Sequence, residues 1–192
     1  MNEATFSSSP RHIFVSMLFA LAVGKLAQSG NEILSAGFIV ESVLQWLLAL
    51  FVVLASWVDW TNSFTNEVQV KIKIVSKEFI ILLLDVFILF SYFHLITSIS
   101  ISSVNETVAK NSQVVSIVAI FVLYVAWDYL FYVHSGTMDK INGLLPPVVA
   151  LLLSLLVAYQ IEKWSGIVIT ASLFGIVILF RVMHASRSKK IS

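Results

Sequence analysis

The chain has 192 residues, 58% of them hydrophobic and 12% charged, with a mean hydropathy of +0.92 and a net charge of +1. Soluble domains are about half apolar and a quarter charged, so this composition excludes a soluble domain of any size and points to an integral membrane protein. The chain contains no cysteine, which excludes disulfides and thiol chemistry, and no basic block interleaved with aromatics argues for direct nucleic-acid binding.

Residues 1–10 read as a short polar tail. The apolar run at 13–24 follows Arg11 and leads to small residues at 27–29, a pattern shared with secretory leaders. We read 13–28 as a retained first membrane helix. Its Ser16, Ala20 and Gly24 recur every four residues and predict a small face for close packing against another helix. A connector at 31–41 leads to a second helix at 43–60.

The segment 61–78 reads as the main cytoplasmic connector. Within it Val68, Val70, Ile72 and Ile74 alternate with Gln69, Lys71 and Lys73, a strand-like period of two. As a strand it offers an edge to a protein partner. As a helix it lies on the membrane with lysines toward anionic lipid, the preferred reading because it needs no second protein. Lys71, Ile72 and Lys73, with the basic tail residues Arg187, Lys189 and Lys190, are the candidate partner or lipid contacts.

A third helix at 79–98 is long enough to cross a bilayer, since roughly 20 apolar residues span the ~30 Å hydrocarbon core. It carries Asp85 about two turns from one end. A carboxylate there costs on the order of 2.5–3.5 kcal/mol on insertion scales, so it needs a partner or a purpose. The polar stretch 100–113 reads as a loop, and 114–133 as a fourth helix carrying Asp128. After a short turn at 134–143, Pro146 and Pro147 suit the first turn of a fifth helix at 144–161. A tight hairpin leads to the sixth, 167–184. The expected fold is thus an all-α membrane bundle of about six helices forming one domain.

Nine basic residues (Arg11, Lys71, Lys73, Lys77, Lys140, Arg181, Arg187, Lys189, Lys190) fall on one side of this topology and three (Lys25, Lys110, Lys163) on the other, accounting for all 12. The positive-inside rule then predicts both termini and the 61–78 connector in the cytoplasm, in an inner membrane. Asp85, Asp128 and Arg181 fall at similar depth in the inner half, with Asp59 at the inner end of the second helix. Glu78, Asp85 and Tyr92 share one face of the third helix; Phe121, Tyr124, Asp128 and Tyr132 share one face of the fourth. An intramembrane polar network of Asp59, Asp85, Tyr92, Tyr124, Asp128 and Arg181 is therefore expected, with Asp85 or Asp128 paired to Arg181. Structural ion pairs are the first expectation for it, a proton or cation path the second, snorkelling to headgroups the third. Trp57, Trp60, Trp127, Tyr129 and Trp164 read as interface-belt aromatics.

His12, His94, His134 and His184 show no metal-ligand spacing, and no nucleophile elbow or phosphate loop is present, so neither an enzyme nor a metal or cofactor is expected. No apolar segment pair is interrupted mid-span and no carbonyl filter sequence appears. The size and topology resemble small prokaryotic six-helix cation channels, although Val15-Ser16-Met17 stands nearest to where that family carries an N-terminal Phe-Ser-Asp. In size and topology alone the chain also resembles the small multi-pass membrane subunits of two-component bacterial antiphage systems such as Kiwa. The functional expectation is a non-enzymatic, oligomeric sensor or anchor that passes a membrane event to a cytosolic partner. The alternative is a small oligomeric cation or proton channel, or a proton-coupled transporter, using Asp85 and Asp128.

Overall fold

In the computed structural model, residues 10–37, 39–63, 76–102, 106–135 and 140–191 are described. They form six helices and no strand: α1 (Pro10–Ala36), α2 (Val40–Ser63), α3 (Lys77–Ser102), α4 (Glu106–Ser135), α5 (Lys140–Tyr159) and α6 (Gly166–Ile191). Five are long and apolar enough to cross a membrane, over His12–Ala36, Val40–Thr61, Phe79–Ile99, Thr107–Leu130 and Gly166–Ala185. The apolar part of α5, Leu144–Tyr159, is shorter. Helices suit such a chain because every backbone donor and acceptor is satisfied within the segment, away from water.

Cross-helix contacts give the helix directions. Asp85 meets Trp127 and His94 meets Ser116, so α3 and α4 are antiparallel. Trp60 stacks on His12 while the Trp46 indole donates to the Leu26 carbonyl, so α1 and α2 are antiparallel as well. Gln113 meets Thr170 and Tyr124 lies beside Phe180, so α4 and α6 run parallel. Phe51 against Phe174, with Arg181 paired to Asp59, makes α2 and α6 parallel too. Helices α2, α3, α4 and α6 surround the bundle axis; α1 packs on α2 and α3, and α5 on α4 and α6. We call the end where α1 begins and α6 finishes the terminal end, and the other the hairpin end.

Every helix begins before its expected start and all but α5, which stops at Tyr159, run past their expected end; two expected connectors are largely helical. Asn31–Ala36 continues α1, and the polar stretch after residue 100 is mostly the end of α3 and the start of α4. Serine and threonine do not break these turns because their hydroxyls bond backward to carbonyls, as Ser35 does to Asn31, Thr97 to Phe93 and Ser116 to Ser112. The prolines also depart from expectation. Pro146 and Pro147 lie inside α5, which begins at Lys140. Each removes one intrahelical N–H, a loss that membrane helices accommodate through neighbours and local adjustment.

The small face of α1 does not enter this bundle. The stripe that enters the bundle is Val15, Phe19, Ala22, Leu26 and Ser29, spaced alternately four and three residues apart and all buried. Ser16 is half-buried, whereas Ala20 and Gly24 are exposed, and a Cβ added at Gly24 would meet nothing within 4 Å. Val15, Phe19 and Leu26 fill the space beside α2 and α3 by close packing, with the smaller Ala22 and Ser29 along the same stripe. Outward faces carry large apolar side chains such as Met17, Val58, Phe90, Val115 and Leu156. An apolar exterior around buried polar groups is the arrangement that lipid, rather than water, favours.

Candidate functional site

Five helices line one cavity of about 70 Å³ near the terminal end, and four of them, α2, α3, α4 and α6, deliver polar groups to it. Its walls include Ser56 and Asp59 from α2, Asp85 and Tyr92 from α3, and Tyr124 and Asp128 from α4. Phe19 from α1, with Phe180 and His184 from α6, completes the wall. The clustering follows from helix direction. Asp59 and Asp128 approach the ends of their helices as Asp85 leaves the start of its own, so antiparallel packing brings all three to one depth.

A chain of hydroxyls runs through the site. Tyr124 donates to Ser56 at 2.8 Å, and Ser56 donates to the Val52 carbonyl at 2.6 Å. The Tyr124 proton being committed to Ser56, the 2.9 Å contact between Tyr92 and Tyr124 is a donation from Tyr92. Arg181 adds a second donation to Ser56 at 2.6 Å. Ser56 is therefore a junction: it accepts from Tyr124 and Arg181 and passes one bond to the backbone.

Arg181 forms its ion pair with Asp59, whereas Asp85 or Asp128 had been the expected partner. The reason is positional. On parallel helices Asp59 lies one turn beyond Ser56, so the same guanidinium reaches both. Its charge also lies 5.2 Å from the Phe180 ring centroid and 5.9 Å from that of Tyr124, within cation–π range. The Asp59 side chain is 41% exposed and that of Arg181 13%, so the pair marks the mouth of the site. Asp85 and Asp128 are 5% and 4% exposed, and Tyr92 is fully buried at the inner limit.

Asp85 accepts a hydrogen bond from the Trp127 indole at 3.1 Å. Trp127 is thus tied to the site, and Trp60 is buried against His12 and Phe19. Both had been expected in an interface belt. Indoles carry a donor on a large apolar body, and here that body lines the cavity. Trp57 and Trp164 are more than one-third exposed and Tyr129 more than half, in keeping with a belt position.

All six members of the expected network thus meet at one end of the bundle. Missing from that expectation were Ser56, Trp60, Trp127 and His184. Ser56 carried a readable signal, since it lies three residues before Asp59 on the same helix face. Lys71, Ile72 and Lys73 lie outside the described residues. Arg187, Lys189 and Lys190 continue α6, and their side chains also lie outside the described set.

Chemically, the arrangement joins a charged mouth to carboxylates and phenols buried in an apolar bundle, the setting in which a proton or small cation gains most from fixed oxygen ligands. Among the described residues no three His, Asp or Glu side chains converge as a metal-ligand set. No family model, curated protein or solved structure matches the chain.

Proposed function

We propose that this protein is a multi-pass membrane subunit that binds a small cation, the proton first, at Asp85 and Asp128, and signals occupancy of that site to a cytosolic partner. One observation carries the reading: the cavity lined by Asp85 and Asp128 is also lined by the chain Tyr92 to Tyr124 to Ser56, which is joined at Ser56 to the Arg181–Asp59 pair at a partly exposed mouth. Protons move along such hydrogen-bonded chains, and changing the charge of a buried acid biases how the helices around it pack.

In this reading all six helices cross an inner membrane, and both termini face the cytoplasm. The nine-to-three bias of basic residues supports that orientation. The 20 residues of α5 rise about 30 Å, enough to cross as a sixth span between α4 and α6. Fused after Ser192, a cytoplasmic reporter is active and a periplasmic one silent; the reverse overturns the orientation. Assembly into oligomers is part of the proposal, and the apolar outer face and the exposed Ala20 and Gly24 on α1 are compatible with it.

Trp127 provides the test, because its indole is bonded to Asp85. Tryptophan fluorescence of the purified protein is expected to change with pH, and Asp85→Asn to remove most of that change while the protein remains folded by sizing column. A wild-type signal that ignores both pH and monovalent salt overturns the proposal. A second reading, transport through the bundle, is favoured by a second cavity at the hairpin end, about 110 Å³ and lined by Ser29, Glu32 and Ser42 among others. It requires proton flux into proteoliposomes from the protein alone.

A further inference from the structure

A second polar layer crosses the bundle three helical turns from the first. On each of the parallel helices α2, α4 and α6 a polar residue at the hairpin end stands eleven residues from one in the acidic site: Gln45 and Ser56, Gln113 and Tyr124, Thr170 and Arg181. Eleven residues make close to three full turns, about 16 Å of rise, so both members of each pair face the same side. Between the layers the interior is mainly apolar, with Val52 and Val53 on α2, Ile117 and Ile120 on α4, and Leu173 and Ile176 on α6; the buried Ser116 of α4 bonds sideways to His94 of α3.

Register places these groups together. Thr170 donates to Gln113 at 3.0 Å. The carboxylate of Glu41 lies directly against Gly166; four residues further along both parallel helices, Gln45 comes level with Thr170. On α1 the Leu26 carbonyl receives the Trp46 indole, and Gly30 faces the same ring, which brings Ser29 to the level of Gln45. Ser29, Gln45, Gln113 and Thr170 are each no more than 1% exposed.

Three atoms of this layer have no hydrogen-bond partner among the described residues: Ser29 Oγ, Gln45 Oε1 and Gln113 Nε2. Turning the Gln113 amide does not remove the problem, since one end bonds Thr170 and the other is left over. A fully buried acceptor, a donor and a hydroxyl in one layer are the partners that a buried water takes up, typically about three of them. Ser29 also lines the cavity of about 110 Å³ at the hairpin end, which supplies a way in. We propose that Ser29, Gln45 and Gln113 form an internal water-binding site, fed from the hairpin end and closed off from the acidic site by the apolar belt. The three unpartnered atoms belong to uncharged side chains, and the nearby Glu41 carboxylate is taken up by Gln45 Nε2 at 3.3 Å, so water is the ligand assigned to them. It does not depend on the acidic pocket binding a cation.

X-ray radiolysis of the intact protein tests the proposal, because bound water is converted to hydroxyl radical where it lies and oxidises adjacent side chains. The chain has no cysteine, so one introduced thiol is an unambiguous reporter. Ser29→Cys and Thr170→Cys are near-isosteric probes of the site, and Val53→Cys probes the belt. All three are first checked for wild-type elution on a sizing column. Oxidation of the first two with Val53→Cys spared supports the site. A Thr170→Cys thiol as inert as Val53→Cys shows a dry layer and overturns it. Equal oxidation of all three removes the belt, and with it a site bounded by one.

Discussion

Arg181 Nη2 lies 2.6 Å from Ser56 Oγ, and this bond ties α6 to α2 at the level where Tyr124 of α4 also reaches Ser56. Three helices that run in the same direction are thereby joined through one hydroxyl. Van der Waals packing alone leaves membrane helices weakly specified, because lipid tails are as apolar as the side chains they replace. A shared junction of this kind fixes register.

The ion pair at the mouth should respond unequally to removal of its two members. Asp59→Asn leaves the guanidinium of Arg181, only 13% exposed, without its carboxylate, and should cost on the order of 3 kcal/mol. Arg181→Gln leaves Asp59 at 41% exposure, where water replaces the lost partner, so its ion-pair loss should be nearer ~1 kcal/mol. The double variant should recover part of the Asp59→Asn loss. Unfolding in detergent of the two singles and the double measures this, and strictly additive losses would show that the pair is not coupled.

Tyr124→Phe should be more damaging than Tyr92→Phe. The first removes the donation to Ser56 and strands the Tyr92 hydroxyl, while the second removes one bond only. At about 1 kcal/mol for each net bond, and more for a stranded buried hydroxyl, the difference should be on the order of 1–2 kcal/mol. Equal melting temperatures for the two variants would contradict the donor order assigned to this chain.

Glycine substitutions should separate the open face of α1 from a crowded contact elsewhere. Gly24 has no neighbour within 4 Å of an added Cβ, so Gly24→Ala should stabilise α1 by roughly 0.5–1 kcal/mol through helix propensity. Gly24→Leu should also leave the monomer folded, and any change in elution would then report oligomer contacts. At Gly166 an added Cβ collides with the Glu41 carboxylate, which lies at the start of α6. Gly166→Ala should displace that carboxylate from the positive end of the helix, at a cost of roughly 0.3–1 kcal/mol. If Gly24→Ala proves more destabilising than Gly166→Ala, the placement of α1 is wrong.

Trp127→Phe keeps an aromatic body in the cavity wall but removes the donor to Asp85. Hydrogen bonds to charged groups contribute about 1.5–3 kcal/mol, so a loss in that range is expected when Asp85 is ionised. The loss should shrink in an Asp85→Asn background, where the indole bond is no longer charge-assisted. A double-mutant cycle showing no coupling would remove Trp127 from the site.

Membrane character and six helical segments are legible in the residues themselves, because hydrocarbon tolerates neither charge nor unsatisfied backbone and both demands are written in composition. The depth of Asp85, Tyr92, Tyr124, Asp128 and Arg181 was legible for the same reason: an α-helix converts residue number directly into height. Facing was less so. The small residues Ser16, Ala20 and Gly24 looked like a packing face, yet Val15, Phe19 and Ala22 took the interior, since side chains on either face of an apolar helix are equally at home in lipid. Partner choice was not legible at all. Whether Arg181 reaches Asp59 or a deeper acid depends on rotation and lateral position of α2 and α6. Those are decided only when six helices pack together, and by Ser56, a residue whose hydroxyl matters because of what surrounds it.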